Sequence, residues 1–161
     1  ATLRYRESED APFRLSDLLA LVDGKVPLLI EIKSRAGYDV AKNCARVAEV
    51  LAGYPGRHAV MSFDPRVSRW LRKHSPQTVR GLVMRQDRHP DARTGIARHV
   101  ALWIARPDFI AFDVRALPDP FAASLRASGF PLLTWTVKTP ELLAIARAHA
   151  DAPIAEGEGL S

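Results

Sequence analysis

An α/β fold on a parallel sheet is predicted by three features of this 161-residue sequence. Short runs rich in Val, Ile and Leu alternate with amphipathic stretches of helical period. Six such strands can be counted, each followed by a helix except the last. The 12 prolines and 9 glycines are spread along the chain, so they read as turns between elements rather than as a disordered linker. Parallel strands joined by right-handed helical crossovers close into a TIM barrel or lie open as a doubly wound sheet. No glycine-rich phosphate fingerprint follows any strand, which favours the barrel.

The elements follow in order. Phe13, Leu15, Leu18, Leu19 and Val22 recur at near-helical spacing, so Pro12 to Val22 reads as a helix, with Ser16 as its cap and "DGK" as its stop. "VPLLIEIKS" is a strand. Over Tyr38 to Tyr54, Val40, Cys44, Val47, Val50 and Leu51 share one helical face, which Gly53 and "PG" end. "HAVMSFD" is a short strand, and "DPRVSRWLRKHSP" a helix opened by Asp64 and a first-turn proline, with Val67, Trp70 and Leu71 inward. "VRGLVM" is a strand, "RTGIARHVALWIA" a helix, "PDFIAFDV" a strand, and "DPFAASLRASG" a helix stopped by Gly129. "FPLLTWTV" is a strand and "TPELLAIARAHA" a helix with cap, proline and early acid at Thr139, Pro140 and Glu141. "APIAEG" is the last strand.

Composition narrows the function classes. With 47% hydrophobic and 25% charged residues, residues 1–161 suit one globular domain with its own core. The single Cys44 excludes a disulfide framework or a cysteine-rich zinc site and suits a reducing compartment, so a cytoplasmic location is expected. No run approaches a membrane span, and "ATLRYRESED" has no apolar signal core. A net charge of +5 suits an anionic ligand such as a phosphate. The arginines are scattered among acids without aromatic interleaving, so no nucleic-acid partner is expected.

In a parallel barrel the chemistry sits at the carboxyl ends of the strands. Glu31 and Lys33 are two residues apart and share a face, while Ile30 and Ile32 take the other. If the isoleucines meet helices, the charges enter the barrel mouth. A carboxylate there can bind Mg²⁺ or Ca²⁺, and the ammonium can meet a phosphate oxygen; a purely structural Glu–Lys contact is the alternative. Ser62 and Phe63 end the second strand, as ligand-positioning groups or as a turn serine and a core ring. Asp113 shares a face with Ala111 and Phe109, as a polar group at the mouth or the start of a turn. Trp135 is a core residue or a pocket wall. None of His58, His74, His89, His99 and His149 falls at the carboxyl end of a strand, so the chain offers no evident general acid or base. It has no G-x-S-x-G elbow and no H-E-x-x-H helix either.

Taken in order, "PFRLSDLLALVDGKVPLLIEIKS", "HAVMSFDP", "GLVM", "PLLTWTVKTPE" and "ADAPIAEG" resemble the glycerophosphodiester phosphodiesterase family over nearly the whole chain. The E-I-K, S-F-D and W-T-V strands are the specific parts. The resemblance implies a TIM barrel of the phosphatidylinositol-phospholipase-C-like phosphodiesterase type, which uses a divalent cation to split glycerophosphodiesters into glycerol 3-phosphate and an alcohol. It casts Glu31 as a metal carboxylate, Lys33 as the phosphate-contacting lysine and Trp135 as the wall beside the glycerol.

The departures matter equally. The family's opening histidine–arginine–glycine strand, its E-x-D strand and its histidine–aspartate hairpin have no counterpart, and "PIAEGEG" stands where many relatives carry a threonine–aspartate pair. The chain thus reads as about six of eight strands: the C-terminal portion of such an enzyme, inactive alone, or a degenerate homologue that binds a partner. A weak anion- or nucleic-acid-binding module, suggested by the net charge, is the remaining alternative. Unpaired edges at "LLIEIK" and "APIAEG" are expected to promote self-association.

Overall fold

The computed structural model describes residues 12–85 and 95–160. Its six strands are β1 (Leu28–Glu31), β2 (His58–Ser62), β3 (Val79–Met84), β4 (Phe109–Asp113), β5 (Leu132–Val137) and β6 (Ala152–Ala155). They pair in chain order and all in parallel, forming one six-stranded sheet. Helix α1 (Leu15–Val22) precedes β1, and α2 (Val40–Leu51), α3 (Pro65–His74), α4 (Ile96–Ala105), α5 (Pro120–Ala127) and α6 (Pro140–His149) make the crossovers.

The two faces of the sheet settle the choice between barrel and open sheet. On one face Ile32, Val60, Leu82, Ile110, Phe112 and Leu132 pack with helical residues such as Cys44, Val67, Leu71, Ala101 and Ala122. On the other, Met61, Val83, Phe109 and Ala111 cluster with Ala59, Phe63, Leu133, Trp135 and Ile154, and no helix contributes. A doubly wound sheet covers both faces with helices and reverses its strand order; among the described residues neither is seen. The sheet curls so that its inner side chains cover one another, giving an incomplete TIM barrel.

Local chemistry places most helix starts where the sequence expects them. Asp39, Asp64 and Asp119 accept the backbone N–H of Lys42, Arg66 and Ala122, and Thr139 accepts that of Leu142. Each satisfies a donor that the first turn leaves orphaned. α1 differs. Its cap position is Arg14, without a side-chain bond, and the Ser16 hydroxyl reaches Asp17 instead; the apolar period begins at Leu15, so Ser16 already lies inside the first turn. In β5 the register shifts between Thr134 and Val137. That irregularity turns Val137 outward, onto Leu143 and Ala146 of α6.

Cys44 is fully buried in the α2 core, and burial, reinforced by the Asp64 carboxylate, pushes its thiol up to about 11. It serves as a small hydrophobe and not as a nucleophile.

Among the described residues β1 and β6 are the free edges. The helical layer partly covers Leu28 and Ile30, so the apolar exposure of the β1 edge falls on Leu29, at 38%. Phe13, Leu21 and Val26, around α1 and β1, are exposed as well. An apolar edge with unpaired backbone groups recruits other backbone. Sedimentation at rising concentration is therefore expected to show growing association; a monomer at all concentrations would mean that the edge is covered.

Candidate active site at the carboxyl ends of the strands

Strand alternation builds the mouth of the curled sheet. Ile30 and Ile32 turn to the helices, packing in the cluster with Leu19, Val67 and Leu71. Glu31, paired in register with the inward Met61, faces the other way. Lys33 Nζ stands 2.7 Å from Glu31 Oε1, with the ammonium side chain 71% and the carboxylate side chain 22% exposed. The same Glu31 oxygen is buried and receives no well-directed hydrogen bond. Both observations hold together, because the ammonium comes close but off the direction a hydrogen bond requires. Glu31 thus offers a buried carboxylate oxygen neutralised by charge alone.

Across from this pair stands an aromatic wall. The rings of Phe63 and Trp135 meet edge to face with centroids 5.3 Å apart, and Trp135 Nε1 donates to the Ala111 carbonyl at 3.1 Å. Two cations approach the Phe63 ring, Lys33 Nζ at 5.8 Å from its centroid and the Arg85 guanidinium at 4.4 Å. Such contacts hold a cation near an aromatic face without neutralising its charge. Among the described residues the mouth therefore joins the Glu31 carboxylate, two cations and two rings, the inventory of a site for a small anion with an apolar or polyol part.

The sequence reading overlooks Arg85. Its signal is positional: it lies two residues beyond the inward Val83, at the carboxyl end of β3, and so continues the inner face.

Two residues singled out from the sequence serve the fold instead. Ser62 lies opposite Phe63 by alternation, fully buried; its hydroxyl donates to the Ile32 carbonyl at 2.7 Å and accepts from the Asp64 N–H at 3.1 Å. It ties the end of β2 to the segment after β1 and does not face the mouth. Asp113 shares the inner face as expected, but its carboxylate accepts from the N–H, Nε and Nη2 of Arg115 at 3.0, 3.1 and 2.8 Å. Of its two readings the geometry matches the start of a turn, Val114–Ala116. Asp64 is committed in the same way, to Ser34 and to a bidentate Arg66. Burial pushes its carboxyl up, yet the hydrogen bonds from Arg66 and Ser34 outweigh this and hold it below the usual carboxylate range. Beyond β6, Glu156 pairs with Lys138 at 2.5 Å, both side chains largely exposed.

No group of three or more His, Cys, Asp or Glu side chains able to hold a metal ion occurs among the described residues. Glu31 fits one ligand position for a hard cation. A single carboxylate does not make a divalent site, which needs six or more oxygens, several of them from the protein or substrate. The histidines also stay away from the mouth: His58 opens β2 with Nδ1 2.9 Å from the Gly56 carbonyl, His74 stacks on Trp70, His99 meets the edge of Phe121, and His149 ends α6. His89 lies outside the described residues. A cavity of about 360 Å³ runs along α5, between Leu117, Asp119, Arg126 and His149, and contains none of the mouth residues.

No protein-family model and no curated protein sequence matches the chain. Solved structures do. A protein of Silicibacter pomeroyi DSS-3 assigned as a glycerophosphoryl diester phosphodiesterase superposes with a TM-score of 0.75 at 25% identity, over 91% of this chain and 53% of its own. A phosphodiesterase of Oleispira antarctica, solved with the product sn-glycerol-3-phosphate, gives 0.75 at 16% identity, over 91% and 58%. The glycerophosphodiester phosphodiesterase of Thermotoga maritima gives 0.70 at 18% identity, over 92% and 62%. The chain spans between half and two thirds of the length of these proteins. The resemblance carried by the E-I-K, S-F-D and W-T-V strands is matched in three dimensions, and the fold is that of part of their barrel.

Proposed function

We propose, from this likeness to glycerophosphodiester phosphodiesterases, that the chain supplies one side of a phosphodiesterase site cleaving glycerophosphodiesters to glycerol 3-phosphate and an alcohol. The observation that carries the reading is the convergence of Glu31 and Lys33 with Phe63 and Trp135 at one mouth. Lys33 meets a phosphate oxygen of the substrate, and Trp135 with Phe63 walls its glycerol part. Trp135 is oriented for this by its bond to Ala111. Glu31 offers one carboxylate to a divalent cation, Mg²⁺ or Ca²⁺, whose other protein ligands come from outside the described residues; that cation would polarise the phosphoryl group. Cys44, a thiol kept free, fits a cytoplasmic setting.

Binding and turnover separate the parts of this proposal. Wild-type chain is expected to bind sn-glycerol 3-phosphate at millimolar concentration. Lys33→Met should weaken that binding by about 10- to 100-fold, the worth of a hydrogen bond to a charged group. Titration followed by NMR or calorimetry reads both, and equal binding by wild type and variant overturns the assignment. With either cation added, the chain alone is expected to release no glycerol 3-phosphate from glycerophosphocholine, since each missing acid or base costs about 10²–10⁴-fold.

A second reading, a non-catalytic barrel that binds a partner through its edge, is favoured by one observation: Ser62 and Asp113 are both committed to the fold. It predicts no glycerol 3-phosphate binding at all.

A further inference from the structure

The outer surface of α3 and α4 has a composition that barrel architecture does not require. Neither helix contains an aspartate or glutamate, while α3 alone carries Arg66, Arg69, Arg72 and Lys73. α4 turns Ile96, Val100 and Trp103 to solvent, at 81%, 47% and 71% exposure. Their spacing of four and three residues makes them one continuous stripe on a single helical face. Where the two helices meet, Arg69 and Arg72 of α3 and Arg106 at the end of α4 surround Trp103 and Ile104 in a groove of about 130 Å³. None of these three guanidinium groups has an ion-pair partner among the described residues, whereas Arg66 is held by Asp64 and Arg98 by Asp119. Apolar side chains, a tryptophan and unneutralised arginines thus share one convex face.

We propose that this face docks on an anionic lipid bilayer. Charge complementarity selects an anionic partner, and the shape selects a broad one, because the groove is too small to accept a helix or a peptide segment. Tryptophan with flanking arginines is the combination that settles at the boundary of headgroups and acyl chains, the ring entering and the guanidinium groups meeting phosphates. The inference stands on residues remote from the mouth and does not depend on the reaction assigned there.

Vesicles of phosphatidylcholine, with and without about 30% phosphatidylglycerol, test it on the full 161-residue chain. Material that sediments without vesicles is subtracted. Binding is expected only with phosphatidylglycerol and should fall at high salt. Each guanidinium removed should lower partitioning about fivefold, so the combined Arg69→Gln, Arg72→Gln and Arg106→Gln variant should lose about 100-fold. A control with the same loss of charge elsewhere, Lys25→Gln, Lys42→Gln and Arg147→Gln, should stay within about fivefold of wild type. Brominated lipid should quench wild-type fluorescence, and Trp103→Phe should abolish that quenching although Trp70 and Trp135 remain. Equal losses in the two charge variants, or unchanged quenching in Trp103→Phe, overturn the proposal. So does a patch variant that instead abolishes self-association or RNA binding.

Discussion

Replacing Asp119 by alanine is expected to destabilise the chain by about 3–5 kcal/mol, the usual consequence of removing one partner from a buried ion pair. Asp119 Oδ2 lies 3.1 Å from Arg98 Nη1, with Arg98 buried and the Asp119 side chain 13% exposed. The Arg98 guanidinium also lies 5.5 and 5.4 Å from the ring centroids of Phe112 and Phe121. Asp119 Oδ1 also accepts the Ala122 N–H and so caps α5, adding about 1 kcal/mol to the loss. Asp119→Asn keeps the cap and loses the charge, and should fall between variant and wild type. Urea unfolding measures all three. For a domain stable by about 5–15 kcal/mol the loss is a large fraction of the whole, and a midpoint for Asp119→Ala close to wild type would show that Arg98 does not need this partner.

Gly81→Val should be the most damaging small change on the inner face. Gly81 is the register partner of Phe109, and a Cβ at residue 81 would stand 2.3 Å from two atoms of that ring. Phe109 is itself buried in the strand-only cluster, so the ring cannot swing away without opening a void. Overpacking of this kind costs about 1–3 kcal/mol, and the second branch of valine adds to it. Shrinking the neighbour discriminates the cause. If the ring is the obstacle, Phe109→Leu combined with Gly81→Ala should be less destabilised than the two single changes predict, a coupling measurable in a double-mutant cycle. Simple additivity would place the strain elsewhere.

These two sites illustrate what a sequence conceals. The alternation of periods was enough to order six strands and their helices, because burial on one face is written locally, residue by residue. The same alternation put Glu31 and Lys33 opposite Ile30 and Ile32, as the fold has them. By contrast, the Arg98–Asp119 pair joins residues 21 apart through tertiary packing alone, and nothing local announces it. Ser62 and Asp113 were legible as polar residues at strand ends. Whether such a group faces a ligand or closes a turn depends on partners such as the Ile32 carbonyl and the Arg115 guanidinium, which only the fold supplies. Arg85 escaped for a simpler reason, since it follows the last apolar residue of β3 and looks like the start of a loop.

Strand order identical to chain order also bears on how the sheet forms. Every pairing joins segments close in sequence, from 18 residues between Val137 and Ala155 to 30 between Leu28 and His58. No strand must wait for a remote partner, so loop-closure entropy is met in small and similar steps. Topology of this kind favours rapid assembly for a parallel sheet. It also makes each strand-and-helix unit depend mainly on its immediate neighbours, as in a repeat array, so that six units can stand as a sheet without the long-range closure that joins the first and last strands of a complete barrel.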